Sequence, residues 1–221
     1  MIRVLVVDDE ALIRTGFQHI LNSADDIEVV AAVPGGQAVS AVRQSRPDVV
    51  LLDIRMPDVD GLTVLADLRR LPDPPVVAML TTFDMDEYVA SALRSGAAGF
   101  LLKDTDPKQL PYLVRTLADG GAVLSSAVTR TVVDGYLDNS HQEAAVRAVA
   151  RLTERERAVL TLIAEGLSNA DIGRRMHLST GTVKDHVSTV LGKLEVGSRV
   201  QAALLAERAG LLRQPGHREG G

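Results

Sequence analysis

The 221-residue sequence has no cysteine, which excludes disulfides and thiolate metal sites and fits a reducing compartment without proving one. No apolar stretch approaches the ~20 residues that a membrane span requires. The opening run Met1-Ile2-Arg3-Val4 breaks at Asp8, too early for a signal-peptide core and cleavage site. The expectation is a cytoplasmic chain with no membrane partner. Internal repeats are also missing. Neither half is strongly basic: residues 1–125 carry 11 Lys and Arg against 18 Asp and Glu, and residues 126–221 carry 13 against 11. That asymmetry is a weak hint that the second half meets nucleic acid. Apolar content of 46% and charged content of 24% are ordinary for one or two globular domains.

What is present begins with Val49-Val50-Leu51-Leu52-Asp53-Ile54-Arg55-Met56-Pro57. Four apolar residues run into a carboxylate and a Met-Pro turn follows, which reads as a buried strand ending at Asp53. Three other runs behave alike. Val4–Val7 ends in Asp8-Asp9-Glu10, Val76–Leu80 in Thr81-Thr82, and Gly99–Leu102 in Lys103. In an open parallel sheet, ligands bind beside the carboxyl ends of the strands. Three carboxylates gathered there repel one another unless a hard cation bridges them, and Mg²⁺ prefers such oxygen ligands. A lysine and a hydroxyl on the rim suit a phosphoryl group. Singly, Asp53 and Asp8 read as turn or helix caps, Lys103 as a solvated strand end and Phe100 as core. Jointly those readings require separate coincidences at the ends of different strands.

Between the runs lie helical patterns. Leu12, Ile13, Phe17, Ile20 and Leu21 share one face, Ile27–Val33 reads as a strand, and Gln37–Ser45 as a helix ending before Pro47. Helices are expected at Leu62–Leu71 and Asp86–Arg94, and a last one starting with Asp106 as N-cap and Pro107 in its first turn. Asp58 and Asp60 read as loop acids. Five β–α units imply a doubly wound parallel sheet of five strands. The expected division is a domain at 1–121, a helix-containing linker at 122–150 with a helix at 127–137, an all-α domain at 151–213 and a polar, fraying tail at 214–221.

Asp8-Asp9, Asp53, Thr81 and Lys103, each ending its strand, with Phe100 three residues before the lysine, resemble the receiver domain of two-component response regulators. The resemblance implies a flavodoxin-like fold. It also implies that Asp53 accepts a phosphoryl group from a sensor histidine kinase. Mg²⁺ would be held by Asp9, Asp53 and the Arg55 backbone carbonyl, with Asp8 helping mostly through water. Lys103 would pair with the phosphoryl oxygens, and Thr81 and Phe100 would act as the switch. An enzyme hydrolysing phosphate esters with the same acids is the rival, but it lacks a candidate proton donor.

Beyond residue 150 the pattern is short helices without strands. Thr153 and Glu156 form a capping box, and Ala158, Leu160, Leu162, Ile163 and Leu167 can face a core. Gly166 stops this helix, Ser168 caps one reaching Met176, and Ser179 caps one reaching Leu194. A last helix is expected at Arg199–Ala209. Leu152-Thr153-x-Arg155-Glu156, Glu165-Gly166-Leu167-Ser168-Asn169 and Thr182-Val183-Lys184-x-His186-Val187 resemble the LuxR-type DNA-binding domain. With the receiver, the whole chain resembles a NarL/FixJ-type transcriptional regulator rather than an enzyme. The resemblance makes the Ser179–Leu194 helix the reader of double-stranded DNA. Thr182, Lys184, Asp185, Ser188 and Thr189 lie toward its open side, and Lys193 and Arg199 would meet phosphates. It further implies a homodimer on DNA, for which Val200, Leu204 and Leu205 offer an apolar face.

Overall fold

In the computed structural model, five apolar runs become the strands β1 (Ile2–Val7), β2 (Ile27–Val33), β3 (Val49–Asp53), β4 (Val76–Thr81) and β5 (Gly99–Leu102). They pair only in parallel, in the order β2-β1-β3-β4-β5. Helices α1 (Ala11–Asn22), α2 (Ala38–Ser45), α3 (Gly61–Arg69), α4 (Asp86–Arg94) and α5 (Leu110–Ala118) connect or follow them. Residues 1–81, 86–124 and 142–212 are described. The expected helix at 127–137 and the tail at 214–221 fall outside them.

The central strand shows why the sheet is doubly wound. Every residue of β3 is buried, as a strand covered on both faces must be. Side chains alternate between those faces. Val4, Val6, Leu51, Ala78 and Leu80 meet Phe17 and Leu21 of α1 and Val114 and Leu117 of α5 in one cluster. Leu5, Leu52, Met79 and Phe100 alternate to the opposite face and are equally buried. Right-handed crossovers carry α2, α3 and α4 to that side, where Val42, Leu65, Leu68 and Val89 are buried.

Two helix starts differ from the sequence expectation. Helix α5 begins at Leu110 rather than after Asp106. The Asp106 carboxylate accepts the Lys108 N–H at 2.9 Å and its carbonyl accepts the Gln109 N–H at 2.8 Å. Asp106 therefore closes a turn upon itself before the helix can start. Helix α3 begins at Gly61, and Asp60 is its N-cap, accepting the Leu62 N–H at 3.2 Å, so Asp60 is no idle loop acid.

The chain divides into two compact units, Met1–Gly135 and Tyr136–Gly221. The second holds α6 (Gln142–Ala150), α7 (Glu154–Ala164), α8 (Asn169–Met176), α9 (Thr180–Leu194) and α10 (Arg199–Arg208). Thr153 and Glu156 exchange both capping-box hydrogen bonds at the start of α7, and Gly166 follows its end at φ +83°. Ser168 and Ser179 cap α8 and α9. Val159, Leu160, Ile163, Ile172, Val183 and Val190 form the core, which Val149 of α6 joins. The stretch 142–150, expected as linker, thus supplies part of the second core. No helix among the described residues is long and apolar enough to cross a membrane.

Candidate functional site

The β1–α1 and β3–α3 connections place three carboxylates at the C-terminal edge of the sheet. Asp8 is fully buried, Asp53 is 4% exposed and Asp9 is half-buried. One oxygen from each lies within 4.8 Å of the other two. Lys103, arriving from β5, sets its Nζ 2.9 Å from Asp8 Oδ2 and 3.0 Å from Asp53 Oδ2. These are charge contacts, because neither buried oxygen is met by an aligned hydrogen-bond donor. Glu10, exposed at the rim, brings its Oε1 to 3.3 Å from the same ammonium.

The electrostatics follow from burial. Desolvation raises the Asp53 carboxyl above the ordinary carboxylate range; Lys103 opposes that shift and the Asp8 charge reinforces it. Burial alone would depress Lys103, but its contacts with Asp8 and Asp53 outweigh burial and hold the ammonium well above the ordinary lysine value. Counting Glu10, three carboxylates meet one lysine. Two poorly satisfied, buried, hard oxygens beside a third carboxylate fit a small divalent cation with oxygen preference such as Mg²⁺.

The remaining expected residues sit around this cluster. Thr81 is buried at the end of β4, and its carbonyl accepts the Lys103 N–H at 2.9 Å. Phe100 is buried in β5, opposite Met79 in the register. The Arg55 side chain leaves the cluster, with its guanidinium 5.4 Å from the centre of the Tyr88 ring of α4. Only its backbone remains a candidate for the site.

Helix α9 carries the second group of candidates. Val183, Val190 and Leu194 turn inward, and Thr182, Lys184, Asp185, Ser188 and Thr189 are all exposed. The α8–α9 turn is tight. A Cβ on Gly173 would lie 2.7 Å from the Leu178 carbonyl oxygen, and His177 takes φ +56° to close the turn. Two short helices joined by such a turn form a helix-turn-helix.

The comparisons with known proteins agree with both geometries. Residues 4–115 match the response regulator receiver domain, and residues 150–206 match the bacterial regulatory proteins of the luxR family. The nitrate/nitrite response regulator NarL of Escherichia coli is 37% identical over 202 residues, covering 91% of this chain and 93% of that protein. The transcriptional regulatory protein DegU of Brevibacillus brevis is 37% identical over 217 residues, covering 92% of each. The crystal structure of the response regulator ChrA of a heme-sensing two-component system superposes with a TM-score of 0.51 at 33% identity, covering 96% of this chain and 98% of that one. The chain belongs to the two-component response regulators.

As a transcriptional regulator with a LuxR-type helix-turn-helix, it departs from the sequence expectation at four residues. Arg199, expected on phosphate, is 7% exposed and donates to the Leu167 carbonyl. The N-terminus of α10 turns it into the domain. Lys193 bonds both Glu156 oxygens, at 2.7 and 2.8 Å, and so ties α9 to the start of α7. Val200 is 5% exposed and already covered, and Leu205 packs on the core, which leaves the half-buried Leu204 as the candidate of the three apolar residues. Three residues of the regulator's acidic site also escape a sequence reading. Glu10 was signalled only as the third acid of its run. Gly61 is needed because a Cβ there would lie 2.1 Å from the Asp53 carbonyl oxygen. Arg14 lies on α1, where the helical pattern gives no sign that it reaches back to the loop.

Proposed function

We propose that this regulator is switched by phosphorylation of Asp53 and then binds double-stranded DNA as a homodimer. The carboxylate cluster with Lys103 among it is the observation that carries this reading. A phosphohistidine of a sensor histidine kinase donates the group. An Asp53 oxygen forms the new bond to phosphorus, the phosphorus–nitrogen bond breaks, and the histidine nitrogen takes up a proton. Asp8, Asp9, Asp53 and the Arg55 carbonyl would hold Mg²⁺, which when bound neutralises charge on the transferring phosphoryl oxygens. Lys103 is already at Asp53 and needs little movement to meet those oxygens. Phosphorylation adds about −1.5 to −2 charges and three acceptor oxygens. Thr81 and Phe100, on β4 and β5 beside the site, are the residues we assign to the response. The reading assigns the chain no turnover of a free substrate.

On the DNA side, the exposed set Thr182, Lys184, Asp185, Ser188 and Thr189 enters the major groove. Lys184 is suited to guanine O6 and N7, and Asp185 to the cytosine amino group. A single small module binds weakly, so two half-sites are expected, with Leu204 in the contact between copies. We place the protein in the cytoplasm, with the DNA it reads. Incubation with a phosphorylated histidine kinase and Mg²⁺, followed by peptide mass spectrometry, tests the switch. Label on Asp53, lost in Asp53→Asn, is expected; label elsewhere overturns the assignment.

A further inference from the structure

The β1–α1 loop that carries Asp9 is held from an unexpected direction. Arg14, one turn into α1, points its Nη1 back to the main chain and donates to the Asp8 carbonyl at 2.7 Å and the Asp9 carbonyl at 2.8 Å. The Arg14 N–H also bonds the Glu10 carbonyl at 3.1 Å, and the Glu10 N–H bonds Asp8 Oδ1 at 2.9 Å. The whole Asp8-Asp9-Glu10 segment is thus tied to the first turn of α1. Asp8 needs little of this support, because it is buried, paired with Lys103 and anchored by its N–H to Val33 at 3.1 Å. Asp9 is different. Among the described residues, no hydrogen bond or ion pair holds its carboxylate, so its direction is set through its backbone. Asp8 Oδ1 closes a turn over Asp9 through the Glu10 N–H, and among the described residues Arg14 alone reaches the Asp9 carbonyl with a side chain.

We propose that Arg14 is a positioning residue for the divalent-cation site, holding the Asp9 carboxylate toward Asp8 and Asp53. The proposal rests on the reading that this cluster binds Mg²⁺. Groups that orient metal ligands typically contribute about 10- to 100-fold in affinity. The sign of the effect separates positioning from simple electrostatics. Arg14 is a cation, so removing its charge should tighten the binding of another cation. If Arg14 instead orients Asp9, removal weakens binding despite the more favourable charge balance.

The test is calorimetric titration of the full chain with MgCl₂, comparing wild type, Arg14→Met and Arg14→Lys. Thermal melts in EDTA are run alongside. Arg14→Met should raise the Mg²⁺ dissociation constant about 10-fold or more. Arg14→Lys keeps the charge and can donate to both carbonyls, and it should recover most of the loss. The half-saturating Mg²⁺ for labelling by a small phosphodonor should rise in parallel, with little change at saturating Mg²⁺. Unchanged or tighter Mg²⁺ binding in Arg14→Met overturns the proposal, as does a lowered melt in EDTA with unaltered affinity. Should Arg14→Met fail to fold, Arg14→Gln is titrated in its place, with the same outcomes decisive. A wild type that takes up no Mg²⁺ removes the underlying reading itself, a failure distinct from that of Arg14.

Discussion

Lys103 in the first unit and Lys193 in the second both end against carboxylates, but in unlike settings. Lys103 is 12% exposed, its two nearest partners are buried acids, and no aligned donor satisfies their facing oxygens. Lys193 is 41% exposed and meets a glutamate that also closes a capping box. The first arrangement leaves charge unbalanced, which is costly in a folded protein unless something else binds there. The second is complete in itself and fastens one helix to another. In the receiver, then, buried charge marks the place to which we assign the phosphorylation. In the helix-turn-helix unit buried or engaged charge marks structure, and the reading surface is sought among exposed residues such as Lys184.

The sharpest way to break this comparison is to remove each lysine. Lys103→Met strands two buried carboxylates, and one-sided removal of a buried pair costs ~3–5 kcal/mol. Urea unfolding in EDTA should show that loss. Mg²⁺ at about 100 times its dissociation constant should return ~2.7 kcal/mol if the cation site survives. The deficit should also shrink as pH falls. Without Lys103 the folded Asp53 carboxyl is raised further above its unfolded value, so protonation stabilises the folded variant. A variant as stable as wild type would show that the acids are not charged together.

DNA binding gives the next largest effect. Lys184→Ala should lose ~1–3 kcal/mol on a selected duplex, with relaxed preference at the contacted base. Lys193→Met should change the melting temperature of the second unit more than the salt dependence of binding. A drop of one in the salt slope for Lys193→Met would return that residue to phosphate contact and erase the contrast between the two lysines.

Those assignments separate what a sequence can carry from what it cannot. The strand ends were legible because each apolar run is short and stops at a polar residue, and a parallel sheet must bring those ends together. The caps at Thr153, Ser168 and Ser179 were legible because their hydrogen bonds span only three residues. Arg199 was not, since whether the first residue of a helix points in or out depends on the angle at which the chain enters. Lys193 was not, because Glu156 is 37 residues away. Arg14 and Gly61 were hidden for a related reason: each acts on a backbone carbonyl, and carbonyls leave no mark in a residue pattern.

A smaller effect concerns acid. The Lys193 contact and the Thr153 backbone hold the Glu156 carboxyl below its ordinary value of 4.5. A depressed folded value means stability that is present above the unfolded value and lost as pH falls through the folded one. The second unit should therefore melt progressively lower as pH drops below about 4.5. In Lys193→Met that dependence should be shallower, followed by circular dichroism melts at a series of pH values. An identical slope in the variant would mean that the pair seen here is not formed in solution.

The smallest expected effect treats the two units alike. Arg46 closes α2 at φ +44°, and His177 closes α8 at φ +56°, both in the left-handed region. A side chain there costs ~1–2 kcal/mol, and replacing it with glycine gives back part of this as extra freedom in the unfolded chain. Arg46→Gly and His177→Gly should each stabilise their unit by about 0.5–1 kcal/mol. His177 lies in the turn before the reading helix, so His177→Gly also asks whether that turn needs its side chain for DNA. Higher stability with unchanged affinity would assign His177 to the turn alone. Higher stability with weaker binding would make the turn part of the reading surface, and the division between structural and reading residues would then run through the turn as well as along α9.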